Sequence, residues 1–559
     1  MAYKRTLVTS ALPYANGRIH IGHLAGAYLP PDIYVRYLRM KGEDVLFVSG
    51  SDEHGVPITL RAMKEGVTPR EIIDRFHGEN ESAFRAAGID FDIYGRTSWP
   101  EHRKTTAEFF LKLNEGGYIE KQKIQQYYSE KIGMFLPDRY IEGICPRCGK
   151  DARGDQCDHC GTTYEVTELR EPRSAVPGDG STPVLRETMH WFLRLDRFQE
   201  PLLAWLEAKR DWRPNTRGTA LGWLREGLRA RCVTRDTEWG VRIPLDDPDT
   251  QGKRIYVWFD APIGYVTNTQ VWAARQGKPE AWRTYWQDPE TRLLHFIGKD
   301  NIPFHAIIFP AMLMGQGNFV LPDAVVANEY LNFLRAGEAA AVKFSKSHGT
   351  GVEVGWFIET YGSDRLRYYL TAIAPETADA EFSWTDFLHR TNGELADVLG
   401  NFVHRTLAFT AKNFAGQVPP AGALSEADRR ALEAISIASR AVGENIERFQ
   451  FRQAQIAMLE LARLGNRYFD EQQPWATRKS DAPRCASTLH VCLQLVGALA
   501  RLMSPFLPAA GARLAAMMGL PERPRENWSG IGRELAEGSV LGKPEILFPK
   551  LEPEDVPQT

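Results

Sequence analysis

Leu7-Val8-Thr9-Ser10-Ala11-Leu12-Pro13-Tyr14-Ala15-Asn16-Gly17-Arg18-Ile19-His20-Ile21-Gly22-His23 is the stretch on which the fold turns. It opens as a short apolar strand, continues as a loop with Pro and Gly, and ends on two histidines where a helix begins. From Leu24 to Met40 the apolar residues Leu24, Tyr28, Ile33, Tyr37 and Leu38 recur at helical spacing. Pro30 and Pro31 predict a break or kink inside that helix. Val45-Leu46-Phe47-Val48-Ser49 reads as a second buried strand. It ends in Gly50-Ser51-Asp52-Glu53-His54-Gly55, a loop dense in functional side chains. Strand, helix, strand, with such loops at the strand C-termini, predicts a parallel α/β sheet with a nucleotide crevice.

Working outward, residues 1–115 read as the first half of a Rossmann-like domain. Residues 116–225 interrupt it with a cysteine cluster and a Pro/Gly/Ser loop, Pro172 to Pro183. Residues 226–325 resume the α/β rhythm, with strand patterns at Arg254–Asp260, Leu293–Gly298 and Val325–Asn328. The cysteine region is therefore read as an insertion in one sheet domain. Residues 326–385 form a linking segment with a lysine-bearing loop. Residues 386–545 read as an all-α domain: Leu388, Leu395, Leu399 and Phe402 recur at helical spacing, and Ala431–Phe451, Gln453–Tyr468 and Thr488–Met503 follow. Pro419-Pro420 and Pro474 mark breaks. Residues 546–559, rich in proline and acids, read as a tail.

The 559 residues allow three or four domains at roughly 150 residues each. No apolar run approaches the ~18 residues needed to span a bilayer, so a membrane-spanning chain is not expected. Met1 to Arg5 lead straight into a strand with no apolar leader, which predicts a cytoplasmic protein. A net charge of -3 excludes a general basic coat for nucleic acid and leaves room for a local patch. Seven cysteines in such a length make no disulfide scaffold.

Four of those cysteines cluster as Cys145-Pro146-Arg147-Cys148 and Cys157-Asp158-His159-Cys160. Each CxxC turn aims two thiolates at one ion, and four thiolates close a tetrahedron, so the pattern predicts one structural zinc. His159 is the alternative ligand. Tyr128–Gly133 and Pro172–Ser174 lack the cysteines a second knuckle needs. Cys232, Cys485 and Cys492 read as core thiols.

The histidines His20 and His23, at a helix N-terminus, suit phosphate oxygens, and Gly22 lets a flat base approach the backbone. Far downstream, Lys343-Phe344-Ser345-Lys346-Ser347 sits in a Gly-flanked loop and suits a triphosphate. Read alone, the first motif is compatible with chance and the second with a solvated basic loop. Together, His20-Ile21-Gly22-His23 and Lys343–Ser347 resemble the two signatures of class I aminoacyl-tRNA synthetases, with Phe344 in place of Met. Leu12–Gly17, Gly50–Gly55, Trp258–Tyr265, His295–His305 and Tyr361–Leu370 narrow the resemblance to the methionyl family, from about residue 5 to about residue 480.

The resemblance implies ATP-dependent activation of L-methionine to methionyl-adenylate, then transfer to the 3′ end of initiator and elongator tRNA(Met). His20, His23, Lys343 and Lys346 would be catalytic. ATP would be held by these with Gly22 and Ser345, its phosphates bridged by Mg²⁺. Asp52 would accept the α-ammonium. Leu12, Tyr14, Trp258, Ala261, Pro262, Tyr265 and His305 would shape an aromatic slot for the thioether. Asn301 departs from relatives that carry an apolar residue there. Asn401, Arg405 and Trp475 would read the anticodon by hydrogen bonds and stacking. Residues 401–500 hold 12 Lys+Arg against 9 Asp+Glu, an excess too slight to argue RNA binding by charge. The 116–225 insertion is too short for the editing domain that Leu, Ile and Val enzymes carry. A cysteinyl enzyme, a non-catalytic tRNA-binding derivative and an unrelated zinc-containing nucleotidyltransferase are the rival readings. Nothing sizeable follows the helical domain, so a monomer is expected.

Overall fold

The computed structural model describes residues 3–154, 157, 160, 162, 164–335, 341–343, 351–520, 528–532 and 535–557. It divides into two compact units. The first comprises Met1–Arg18, Leu46–Ser82 and Phe91–Val326; the second comprises Ile19–Val45, Ala83–Asp90 and Ala327–Thr559.

The first unit carries a five-stranded sheet in the order Ala324–Asn328, Thr291–Gly298, Arg5–Ser10, Asp44–Ser51, Ile93–Arg96. Arg5–Ser10 runs parallel to Thr291–Gly298, and Asp44–Ser51 runs parallel to Ile93–Arg96. Leu7, Val8, Phe47, Val48, Leu293 and Leu294 are wholly buried. These strands bury both faces, which is why they read as continuous apolar runs and not as alternation. Helix Ile263–Arg275 is locked to the strand ends: Asn268 Nδ2 donates to the Ser49 carbonyl at 3.0 Å. A Cβ on Gly95 would overlap the Asn268 amide, so only glycine permits that approach.

Strands Ile119–Ser129 and Val184–Leu193 pair antiparallel from Ile119↔Leu193 to Tyr128↔Val184. A small sheet of Asp151–Arg153, Ile141–Ile144 and Arg170–Ser174 lies between them in sequence. Its core gathers Leu136, Tyr140, Ile141, Cys145, Cys157 and Leu169.

Two local expectations are corrected here. Of Arg254–Asp260, only the start is extended, in strand Lys253–Ile255; Val257–Asp260 is a helical turn. A short apolar run is buried in either conformation, so its periodicity cannot choose between them. Pro30 and Pro31 do not break the helix. They occupy its first turn, Leu29–Met40, where a missing N–H costs nothing, and the irregularity falls before them in the wide turn Leu24–Tyr28.

The second unit is largely helical. Helical segments span Trp384–Arg390, Thr391–Gly400, Asn401–Asn413, Glu426–Glu447, Phe451–Gln472, Pro474–Ser480, Ala482–Leu502 and Pro508–Met517. The helix expected over Ala431–Phe451 is interrupted after Glu447, where Phe449 adopts φ 58°. At the Pro474 break, Gln473 takes a left-handed φ of 45° and Pro474 starts the next helix. Ala482–Leu502 is, against expectation, long and apolar enough to cross a membrane; 94% of its apolar window is buried inside the protein, as a core helix. The chain end is not a free tail. Arg365 donates to the Pro549 carbonyl, Asn392 bonds the Leu551 backbone in both directions, and Tyr361 Oη donates to the Asp555 carbonyl.

Candidate active site and metal cluster

The residues expected to line the pocket come, in the first unit, from three places in the chain. The loop after Arg5–Ser10 runs alongside the end of the second strand: Asp52 N–H donates to Pro13 O at 2.9 Å, and Ala15 N–H to Asp52 O at 2.8 Å. This sets Tyr14 opposite Asp52. Trp258 Nε1 donates to Tyr14 Oη at 3.1 Å, and its ring meets Phe304 edge-on at 4.2 Å. Leu12 packs where a Cβ on Gly264 would come within 2.9 Å, so the absent side chain makes room for it. Ala261 and Pro262 link the Val257–Asp260 turn to the helix bearing Tyr265.

At the far side, His305 Nδ1 lies 3.0 Å from the Asn301 carbonyl, which only accepts. Nδ1 therefore carries the proton, and Nε2 accepts from Tyr265 Oη at 2.9 Å. Burial lowers the His305 imidazole to about 4, so it is neutral. Burial, and then the Asp52 charge, raises the Tyr265 phenol. The Tyr265–His305 pair is thus uncharged and aromatic, with both protons committed. The Asp52 carboxyl is raised well above its usual range, first by burial, then by Asp260 and Glu53. Such a carboxylate requires a cation beside it to ionise.

In the second unit, His20 caps the short helix Ile21–His23. Its N–H donates to His23 Nδ1 at 3.1 Å, and the two rings lie 3.7 Å apart. Gly22 lies between them in that turn. Lys343 pairs through its backbone with Asn332 at the end of strand Val342–Lys343. Ser345 and Lys346 lie outside the described residues, as does His159.

The four clustered thiols converge. Cys145 Sγ lies 3.9 Å from Cys160 Sγ, and Cys148 Sγ 3.7 Å from Cys157 Sγ. Four sulfurs each about 2.3 Å from a central ion form a tetrahedron with edges of about 3.8 Å. The spacing therefore suits a metal ion held by all four. The Cys160 thiol is lowered to about 6, first by the Thr162 hydroxyl. Of the remaining cysteines, Cys485 and Cys492 are buried and Cys232 is half-buried.

In the helical unit, Arg405 lies 4.0 Å over the Phe469 ring and pairs with Asp470 at 2.6 Å. Phe469 stacks on Trp475 at 6.0 Å, and Trp475 is 47% exposed. Asn401, one turn before Arg405, lies 3.5 Å from the Asn466 side chain.

Sequence reasoning missed Phe469, which joins Arg405 to Trp475. It also missed buried His295, whose Nδ1 meets Thr9 Oγ1 at 2.5 Å, and the His54–Asp260–His102 group. Asp260 lies inside a stretch singled out for its aromatic residues, and nothing local marks it as paired with histidines far away in the chain.

The family model described as tRNA synthetases class I (M) matches residues 6–407, and that of the anticodon binding domain of methionyl tRNA ligase matches residues 418–558. A methionine–tRNA ligase of Bacteroides fragilis strain YCH46 is 48% identical over 98% of this chain and 79% of its own length. One from Thermococcus onnurineus is 47% identical over 99% of this chain and 75% of its own length. A Mycobacterium tuberculosis methionyl-tRNA synthetase bound by methionyl-adenylate superposes with a TM-score of 0.81 at 28% identity, covering 98% of this chain and 100% of that one.

Proposed function

The chain belongs to the methionyl family of class I aminoacyl-tRNA synthetases, and from that premise we propose the division of labour among its residues. It is a ligase that activates L-methionine with ATP and charges tRNA. The methionine carboxylate attacks the α-phosphorus of ATP. A carboxylate–phosphorus bond forms, the bond to the β-phosphate oxygen breaks, and pyrophosphate leaves. The terminal ribose hydroxyl of tRNA(Met), initiator or elongator, then attacks the adenylate carbonyl and AMP leaves.

The observation that carries the substrate assignment is the neutral, hydrogen-bonded Tyr265–His305 pair, together with Trp258 bonded to Tyr14, which lies opposite Asp52. A thioether is weakly polar and polarizable, and it packs best on aromatic rings with no charge to desolvate. Leu12, Ala261 and Pro262 complete that wall. Asp52 takes the α-ammonium, the cation its buried carboxyl lacks. His20, Gly22 and His23 receive the nucleotide at a helix start, and His20 and His23 stabilise charge on the phosphates. Lys343, Ser345 and Lys346 act on the leaving pyrophosphate, and Mg²⁺ enters with ATP as part of the substrate. Positioning and charge stabilisation carry the chemistry, with little covalent work for the protein.

Cys145, Cys148, Cys157 and Cys160 would hold one zinc, a structural tie for the small inserted sheet. Asn401, Arg405 and Trp475 read the anticodon, Trp475 offering its exposed face to an unstacked base. The 1–115 and 226–325 halves, the 116–225 insertion, the 326–385 link and the helical domain from 386 are the working parts of a cytoplasmic monomer.

ATP–pyrophosphate exchange across all twenty amino acids tests the assignment. Methionine-dependent exchange is the expected result; exchange driven by cysteine, or none, overturns it.

A further inference from the structure

Asp260 is fully buried between two imidazoles that the pocket described above leaves unused. His54 Nδ1 lies 2.6 Å from its Oδ2, and His102 Nε2 lies 3.5 Å from the same oxygen. His102 is fixed in turn by Thr267 Oγ1 at 3.1 Å and Thr106 Oγ1 at 3.2 Å. The three ligand atoms lie within 4.8 Å of one another. The 2.6 Å contact is nevertheless a direct hydrogen bond, with no space for an ion between its two atoms. The second oxygen, Oδ1, is buried and has no hydrogen-bond partner among the described residues. A carboxylate buried in this way calls for a reason beyond packing.

Its place in the chain supplies a reason. Asp260 falls between Trp258 and Pro262 on the turn that builds one wall of the slot. His54 falls two residues after Asp52, and its backbone N–H donates to Asp52 Oδ1 at 3.4 Å. The His54–Asp260 bond therefore ties the turn to the loop that carries Asp52. The two carboxylates lie close enough for the charge on Asp260 to oppose ionisation of Asp52.

We propose that Asp260 is a positioning residue of the methionine site, fixing the Trp258–Pro262 turn through His54 and placing a second negative charge beside Asp52 that only an incoming ammonium relieves. This rests on the reading of Asp52 as the ammonium's partner. Asp260 and Glu53 act on Asp52 through their charges, the His54 backbone N–H donates to it, and its own charge acts on Tyr265. Glu53 is matched by Arg96 Nε at 2.7 and 3.0 Å, and Asp260 by His54 Nδ1 at 2.6 Å, so neither supplies Asp52 with a counter-charge. Burial works to raise the Asp260 carboxyl, but His54 and His102 overcome it and hold it below the usual range. Burial and the charge on Asp260 thus both disfavour the ionised form of Asp52. An arriving ammonium favours the ionised carboxylate, so methionine binding is linked to proton release from Asp52 and KM for methionine rises as pH falls.

The test is KM for methionine in the exchange reaction as a function of pH, in the wild type, Asp260→Asn, His54→Gln and Asp52→Asn. Asp260→Asn keeps the shape and an acceptor for His54. Its acid rise in KM is expected at lower pH than in the wild type, with KM on the alkaline side raised about tenfold and kcat changed less. His54→Gln, which loosens the tie and removes one of the two imidazoles that hold Asp260 ionised, is expected to raise KM for methionine at every pH; an unchanged KM contradicts the tie. A wild-type pH profile in Asp260→Asn, alongside a flattened profile in Asp52→Asn, overturns this proposal alone. A wild-type KM and profile in Asp52→Asn overturns the underlying reading of Asp52. Should Asp260→Asn not fold, calorimetry of methionine binding to the wild type in two buffers of different ionisation enthalpy decides. Uptake of no net proton change overturns the proposal; release of a proton supports it.

Discussion

His20 and Glu353 face each other in an antiparallel backbone bridge. On either side of it, Ile21 N–H donates to the Val352 carbonyl at 3.0 Å and Val354 N–H to the Ile19 carbonyl at 3.4 Å. The histidine signature is thus tied by main-chain bonds to the residues that follow the lysine loop. Residues 19–21 and 352–354, at distant points of the sequence, share one backbone frame, which supports the proposed action of the two motifs on one triphosphate. Lys346→Ala is accordingly expected to slow methionine-dependent exchange by about 100- to 1,000-fold while KM for methionine stays within about threefold. Steady-state exchange kinetics check this; a KM effect larger than the kcat effect would contradict the assignment.

His305 gives a pH signature in stability. Its folded value is about 4 against an ordinary 6.5, lowered by burial. The unfolded chain therefore takes up a proton that the folded one refuses. The contribution is intact above about pH 6.5 and is lost as pH falls toward about 4, by on the order of 3 kcal/mol. His77, also lowered to about 4 by burial and then Arg96, acts in the same sense, and the raised Asp52 acts against it. The difference between wild type and His305→Gln isolates the one group. Denaturant melts at pH 7 and pH 4.5 should show the variant losing less stability on acidification than the wild type.

Metal analysis should return one zinc per chain. Cys157→Ser should abolish it and lower the melting temperature, because Cys145 and Cys157 are also part of the core of the small inserted sheet. Two zincs, or a Cys157→Ser protein that keeps its metal, would contradict a single four-cysteine site.

The Arg405–Phe469–Trp475 stack predicts a separation between the two half-reactions. Trp475→Ala removes an exposed ring worth ~1–3 kcal/mol to a stacked base, so kcat/KM for tRNA(Met) should fall about 10- to 100-fold. Methionine-dependent exchange without tRNA should be unaffected. Equal loss of both activities would point to damage to the fold instead of lost base stacking.

Much of this protein is written locally. The strand–loop–helix beginning at Leu7, the paired CxxC turns and the helical periodicity from Leu388 onward are patterns within a few residues of one another. Backbone geometry enforces such patterns wherever the segment sits, so sequence determines them unaided. The conformation of Val257–Asp260, the neutrality of His305 and the pairing of Asp260 with His54 and His102 are of another kind. Each depends on which distant groups exclude water and which hydrogen-bond partners they bring. An apolar run becomes strand or helix according to what packs on it, and a histidine is neutral or charged according to its burial. A carboxylate such as Asp260 acquires its role only when two imidazoles from elsewhere in the chain arrive beside it. Those outcomes are energies of a dry, assembled interior, and the tertiary structure alone decides them.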